Sequence, residues 1–346
     1  MIIDRNPGLQ STNLNTLTFG ELTDLVIRNF ESNQNYGPLN AKQLYISEMI
    51  GSGNGGSKRF QEIDIETYAD SKPEGTNSLK SKVGTGYYKD MEAKTFSKEI
   101  DITVEMRNDN RYAQVGTLIT NLSGFCENRT DLDLTHRLSF ATSESYTNKN
   151  GETVATTTGD SLALCYSAHT LAFSSTTYRN RVSGDPVFSQ GGLEAALQLT
   201  VTNIFTNFGE KRTMNFNTIV SGDDPSTLRA IKQVLQSTAD VDAAQAGVTN
   251  VYMGAMKHVI LPQLATTATG APDSTKRRWW FIMATGQGAN GWQAYYGEWI
   301  APKLLTPSDS NSGMDIHNYN WTYSTYCRRG IATVSPKGII GSCPTS

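Results

Sequence analysis

Two stretches of alternating residues on either side of a polar segment constrain this chain more than any other feature. They are "FQEIDIETY" (60–68) and "SKEIDITVEM" (97–106). Each alternates apolar with acidic or polar residues, which is the period of a β-strand. The segment between them is rich in Gly, Ser and Lys and contains Pro73. The pattern predicts one long β-hairpin in which the two stretches pair with each other.

This hairpin has too little apolar surface to fold alone. Residues 58–99 contain seven Lys, one Arg and eight acidic residues. An isolated two-stranded hairpin is at best marginally stable in water. We therefore expect a second surface to hold it.

Helical spacing of apolar residues occurs in four stretches. The first follows a capping box formed by Thr18 and Glu21. The second spans about 109–127 and the third about 190–206. The fourth begins at Pro225, directly after the capping residue Asp224. The stretch "MNFNTIV" (214–220) and the chain after residue 250 are typical of strands, and all five tryptophans lie between 279 and 321. We interpret this aromatic cluster as a packed core rather than a surface that stacks on bases. Helices in the middle and strands towards the end predict an α+β fold.

Composition narrows the class of protein further. The net charge of −3 gives no whole-chain basic signature of nucleic-acid binding. Four widely spaced cysteines without a C-x-x-C pair predict reduced thiols in a cytosolic setting. The longest apolar run, "WWFIMA" (279–284), is too short to span a membrane, and the first ten residues are too polar for a signal peptide.

The stretch "SLALCYSAHT" (161–170) is the strongest candidate for chemistry, because it brings Cys165 near His169. Its alternation predicts a strand, in which these two residues lie about 13 Å apart, too far for a nucleophile and its base. A hydrolase that uses Cys165 is kept as the alternative function. We predict no catalytic residue, cofactor site or metal site.

Two G-x-G-x-x-G matches, "GSGNGG" (51–56) and "GQGANG" (286–291), lack the strand–loop–helix context of a nucleotide site. We interpret both as flexible turns.

The order of these parts resembles the major capsid proteins of tailed phages with the Hong Kong 97-like fold. "DSLALCYSAHT" (160–170) and "FSQGGLEAALQLTVTNI" (188–204) resemble segments of Mu-like major head subunits. "YCRRGIATVSPKGIIGS" (326–342) resembles the closing segment of many such subunits.

The resemblance implies a division of the chain. Its parts would be an N-terminal arm with a short helix (1–50), an extended hairpin called the E-loop (51–107), a peripheral domain with a spine helix (108–206), an axial domain (207–324) and a C-terminal return to the peripheral domain (325–346).

The resemblance also implies a structural subunit without enzymatic activity. It would self-assemble into hexamers and pentamers of an icosahedral head around double-stranded DNA, which it would meet without sequence specificity. Separate scaffolding, portal and decoration proteins are the further expected partners, with assembly in the bacterial cytoplasm and no membrane. A β-rich surface or adhesion protein is the other alternative.

Mixed charge on a hairpin that lies across a neighbour suits ion pairs between subunits. Solvated surface side chains are the competing interpretation. The expected E-loop contact residues are Lys58, Arg59, Lys72, Glu74, Lys80, Lys82 and Lys89.

Overall fold

A computed structural model describes residues 19–33, 40–51, 53–109, 111–239, 249–306 and 320–345. Its helices are α1 (Phe19–Asn33), α2 (Val104–Asn108), α3 (Tyr112–Ser139), α4 (Gln190–Thr202) and α5 (Pro225–Gln236). Its strands are β1 (Ile46–Met49), β2 (Ser57–Ile65), β3 (Val83–Glu92), β4 (Lys94–Thr103), β5 (Ser145–Thr147), β6 (Thr153–Ala155), β7 (His169–Thr170), β8 (Thr177–Tyr178), β9 (Thr218–Ser221), β10 (Lys257–Ile260), β11 (Trp280–Met283), β12 (Gln293–Leu305), β13 (Asn320–Ser335) and β14 (Ile339–Ser342).

Two four-stranded sheets organise the chain. The long sheet has the order β1-β12-β13-β4, and the central sheet has the order β10-β9-β11-β14. In the central sheet β11 is antiparallel to both β9 and β14. Strands and helices are thus mixed along the chain, and the predicted α+β class is confirmed.

The central sheet is buried on both faces. Trp280 and Ile282 of β11 pack with apolar residues of α4 and α5. Phe281 and Met283 point the other way and pack with the end of α3. This alternation follows from the two-residue period of a strand. The predicted aromatic core is confirmed, because all five tryptophans are buried: Trp279, Trp280, Trp292, Trp299 and Trp321.

The predicted hairpin pairing is wrong. β2 pairs with β3, and Ile65 lies opposite Val83. The second predicted stretch instead forms β4, which pairs along its length with β13. Ile100 and Ile102 of β4 are buried under α1 and α3, so this strand belongs to the core. The residues after Thr103 form α2, not strand, because its hydroxyl accepts a hydrogen bond from the Met106 amide as a helix cap.

Three other predicted boundaries change. α3 continues beyond the predicted end at 127 to Ser139, because Leu134 and Leu138 extend its buried face. α4 ends at Thr202 rather than 206, and the strand predicted at 214–220 is β9, Thr218–Ser221. The start of α5 is confirmed, since the Asp224 carboxylate accepts a hydrogen bond from the Thr227 amide at 3.0 Å. The predicted capping residue Thr18 lies outside the described residues.

Candidate interaction surface

The antiparallel pair β2–β3, called the ribbon below, has two chemically different faces. Side chains at even positions of β2 are buried or half-buried against the body of the protein, and those at odd positions are exposed. The inward residues are Lys58, Phe60, Glu62 and Asp64. The outward residues are Arg59, Gln61, Ile63 and Ile65. β2 therefore buries its two acids and exposes its two isoleucines.

The buried acids are neutralised by a residue near the chain terminus. Lys337 Nζ donates a hydrogen bond to Glu62 Oε1 at 2.8 Å, and the two side chains are 3 % and 2 % exposed. The same ammonium donates to Asn207 Oδ1 at 2.9 Å. Asp64 Oδ2 accepts a hydrogen bond from the backbone N–H of Asn207 at 2.8 Å. Arg212 Nη1 lies 3.9 Å from the other carboxylate oxygen, Asp64 Oδ1. Buried charges of this kind are tolerated only when they are paired and hydrogen-bonded.

Glycines let the inner face approach the body closely. A Cβ atom at Gly84 would lie 2.3 Å from the Phe173 ring, and one at Gly86 would lie 2.5 Å from Asn207 Nδ2. Further along β3, Met91 is fully buried against Ile50 and Trp299. Charge pairing, close backbone approach and one apolar contact thus fix the ribbon to its own chain.

The outer face is apolar and uncovered. Ile63 and Val83 are 69 % and 66 % exposed, and Ile65 and Tyr88 are about half exposed. Tyr68 and Leu79 in the connecting tip are also exposed, so six of the fourteen large apolar side chains that are exposed among the described residues lie between 63 and 88. A contiguous exposed apolar patch marks an interaction site. Below, "outer face" means Ile63, Ile65, Val83 and Tyr88.

Two of the predicted contact residues flank this outer face. Arg59 donates two hydrogen bonds to the Asp90 carboxylate, at 2.7 and 2.8 Å, and its guanidinium carbon lies 4.1 Å from the centre of the Tyr88 ring. The Arg59 hydrogen bonds lower the pKa of Asp90. Lys82 Nζ lies 3.3 Å from Glu66, whose pKa is lowered chiefly by a hydrogen bond from the Lys82 amide.

The other predicted residues are dispersed. Lys58 forms an ion pair with Glu48, and Lys89 Nζ donates to Thr157 Oγ1 at 2.8 Å. The remaining three lie in the exposed tip between β2 and β3: Lys72, Glu74 and Lys80. Four of the seven thus make charge or hydrogen-bond contacts within this chain. Their contact with a second subunit stays a prediction.

The apolar outer face was missed in the sequence. Alternation alone favours isoleucine on the buried side, whereas a shift of one residue sends every side chain to the opposite face. The acidic face of β2 is the buried one because Lys337 pairs with Glu62, and these two residues are 275 positions apart in the sequence. No local pattern contains that information.

Cys165 has no catalytic geometry. The predicted strand is wrong, because residues 161–168 form bends and irregular backbone and β7 contains only His169 and Thr170. Both ring nitrogens of His169 are engaged, Nδ1 with Asp160 at 2.7 Å and Nε2 with Asn180 at 3.1 Å. Burial raises the pKa of Cys165 to about 12. A buried thiol of this kind is unreactive, since the nucleophile is the thiolate.

Among the described residues, no helix combines the length and apolar character that crossing a bilayer requires. Within the same residues, no three His, Cys, Asp or Glu side chains are grouped so that they could hold a metal ion.

Neither a family model nor a curated protein sequence matches this chain. Solved structures do. The capsid of Ralstonia phage GP4 matches with a TM-score of 0.50 and 11 % identity, over 88 % of this chain and 88 % of that one. This is a phage capsid fold. A structure from Gordonia phage Cozz matches equally well, with a TM-score of 0.50 and 12 % identity over 89 % and 88 % of the two chains.

The match confirms the predicted capsid fold across nearly the whole chain. An identity of 11–12 % is too low to assign functions to individual residues of this chain.

Proposed function

We propose that this chain is the major shell subunit of a tailed-phage head. It assembles with itself into hexameric and pentameric capsomers of an icosahedral shell that encloses double-stranded DNA. The observation that carries the proposal is the capsid fold, matched over 88 % of this chain and of the Ralstonia phage GP4 capsid chain. The ribbon's outer face supplies an independent physical argument.

The ribbon is held to its own chain on the inner face and is exposed on the outer face. Its inner face is held by the Glu62–Lys337 pair, so the ribbon is a stable platform. Its outer face exposes Ile63 and Val83. A second copy that covers this apolar strip makes a head-to-tail contact, which closes into a ring when the rotation fits. Arg59 and Lys82 at its edge then contribute to the orientation of the contact.

Within this function, the finer assignments are also proposals. The fold is of the Hong Kong 97-like type and the subunit is of the Mu-like kind. Residues 1–50 form the N-terminal arm, 51–107 the E-loop, 108–206 and 325–346 the peripheral domain, and 207–324 the axial domain. Separate scaffolding, portal and decoration proteins complete the head in the bacterial cytoplasm, and packaged DNA meets its inner face without sequence specificity.

The subunit has no enzymatic activity in this proposal. The Cys165 hydrolase is disfavoured by the occupied ring nitrogens of His169 and by the burial of the thiol. No observation favours the adhesion protein.

Electron microscopy and sedimentation of the purified full-length chain test the proposal. We expect hollow shells or capsomer rings from the wild type. The double variant Ile63→Lys, Ile65→Lys should stay a small species with an unchanged circular dichroism spectrum. Val251→Lys is the matched control, because Val251 is 75 % exposed outside the ribbon.

A compact small oligomer that is indifferent to the ribbon variant would contradict the shell function. Shells that form equally well from the ribbon variant would instead contradict the role of the outer face.

A further inference from the structure

A cavity of about 240 Å³ lies at the base of the ribbon, between β3, α3, the β5–β6 hairpin and β13. This is several times the roughly 30 Å³ that one water molecule occupies in the liquid. Aromatic residues Phe96 and Tyr146 form part of its wall. Its charged lining residues are Lys89, Asp90, Glu92, Lys94, Arg129, Asp133, Arg137, Glu152 and Arg329.

Two arginines present buried N–H groups without acceptors. Arg329 is 3 % exposed, and its Nη1 donates to the Cys126 carbonyl at 2.7 Å. Its Nε and Nη2 atoms are buried and make no hydrogen bond, although Nη2 forms an ion pair with Asp133 at 3.5 Å and the guanidinium carbon lies 4.6 Å from the centre of the Phe96 ring. Arg137 donates to the Ala155 carbonyl, but its buried Nε has no acceptor. Buried guanidinium donors in this state favour an additional acceptor in the cavity.

The lining carries a surplus of positive charge. Lys94 is paired with Glu152, and Asp90 is paired with Arg59 outside the cavity. The unassigned basic residues are then Lys89, Arg129, Arg137 and Arg329, against the carboxylates of Asp133 and Glu92. Four cations minus two anions leave a surplus of two. Asp133 is itself shared, at 3.0 Å from Arg129 and 3.5 Å from Arg329.

The pKa of Lys89 is lowered chiefly by burial. The positive charge of Arg137 lowers it further, and the carboxylate of Asp160 raises it.

We propose that this cavity binds one phosphate dianion, either free phosphate or a phosphate monoester. A phosphate group carries a charge of about −1.5 to −2 at pH 7, which matches the surplus. Arginine forks bind its oxygens through paired N–H donors. The site does not depend on the shell function, because every residue that forms it belongs to one chain.

Calorimetric titration of the full-length chain with inorganic phosphate, at constant ionic strength, tests this assignment. We expect saturable binding at one site per chain, with an unfolding temperature that rises as phosphate replaces chloride. Glycerol 3-phosphate is titrated in parallel. Tighter binding of this monoester identifies an esterified phosphate as the preferred ligand, and equal or weaker binding identifies free phosphate.

Variants at the half-buried cavity positions locate the site. Arg137→Gln and Lys89→Gln should each weaken phosphate binding about tenfold, which corresponds to 1.4 kcal/mol. Arg229→Gln, at an exposed arginine of α5 outside the cavity, should bind as the wild type does. The proposal is overturned if phosphate and chloride give the same calorimetric and thermal behaviour. It is equally overturned if the folded Arg137→Gln and Lys89→Gln variants bind phosphate as tightly as Arg229→Gln.

Discussion

In the central sheet, β11 buries four consecutive apolar side chains, whereas in the ribbon β2 buries two carboxylates and exposes two isoleucines. In both regions the inner side of a strand is packed against the rest of the chain. The central sheet is held by apolar packing, which is non-directional, and Phe281 and Ile282 lie in apolar clusters on its two faces. The ribbon is held by directional pairs that require Lys337 and Asn207 at fixed positions.

The difference explains why the two regions have different surfaces. A strand that is apolar on both faces, such as β11, has both faces covered within the chain. A strand whose inner face is satisfied by ion pairs, such as β2, leaves its apolar side chains exposed. Four measurements test the difference between these two regions.

The largest effect is expected in the central sheet. Trp280→Ala removes a fully buried ring whose indole N–H donates to the Pro186 carbonyl at 2.9 Å. Such a substitution costs about 3–5 kcal/mol of unfolding free energy. Urea unfolding followed by circular dichroism measures it. Tyr166→Ala, at an exposed aromatic residue, is the control, and an equal loss in both variants would refute the contrast between core and surface.

A comparable loss is expected when the cation that pairs with the buried Glu62 of the ribbon is removed. Lys337→Met leaves Glu62 buried without its cation, and removing one partner of a buried pair costs about 3–5 kcal/mol. Adding Glu62→Leu should restore much of the stability, because the buried charge is then gone as well. A double-mutant cycle in urea measures the coupling. Strictly additive losses would show that the pair does not hold the ribbon.

Acid should lower the unfolding free energy of the protein through protonation of His136. Burial, followed by the positive charge of Lys276, lowers the pKa of this histidine to about 4, and its Nε2 lies 3.1 Å from Thr266 Oγ1. The unfolded chain takes up the proton near pH 6.5, so stability is complete above that pH and falls as the pH drops towards 4. The loss should reach about 3 kcal/mol, at 1.36 kcal/mol for each pKa unit.

Urea midpoints between pH 7 and 4 measure this loss. His136→Gln should flatten the curve over that range. An unchanged slope in the variant would assign the acid sensitivity to other groups.

The smallest effect on stability is expected at the outer face. Ile65→Thr changes a half-exposed side chain, and surface substitutions of this kind stay within about 0.5 kcal/mol. Thermal unfolding of the unassembled chain measures it. A loss as large as that of Trp280→Ala would mean that the outer face is packed within the subunit.

Local signals predicted local structure well. The Asp224–Pro225 start of α5 was predictable because the cap and the proline act within one turn. The aromatic core was predictable because large rings seldom find enough contact at a surface. The α+β class followed from the order of these segments.

Strand partners were not predictable from the same signals. β4 pairs with β13, and Ile102 lies opposite Trp321, more than 200 residues away. The sequence pattern did not predict β3 as the partner of β2. A register shift between Gln61 and Ile63 of β2 interrupts the pairing, and it disturbs the alternation of side chains in the facing part of β3. The candidate site was predicted only in outline: charged residues of the ribbon were identified, but its apolar outer face depends on the distant Lys337.

The separation between Glu62 and Lys337 has a consequence in time. Translation at about 5–20 residues per second takes roughly 15–55 s to cover 275 residues. Throughout that interval the ribbon has been synthesised without the cation that pairs with Glu62. The newly made chain therefore acquires a docked ribbon only after Lys337 has been synthesised. A chain truncated before Lys337 would lack the ion pair that fixes the outer face.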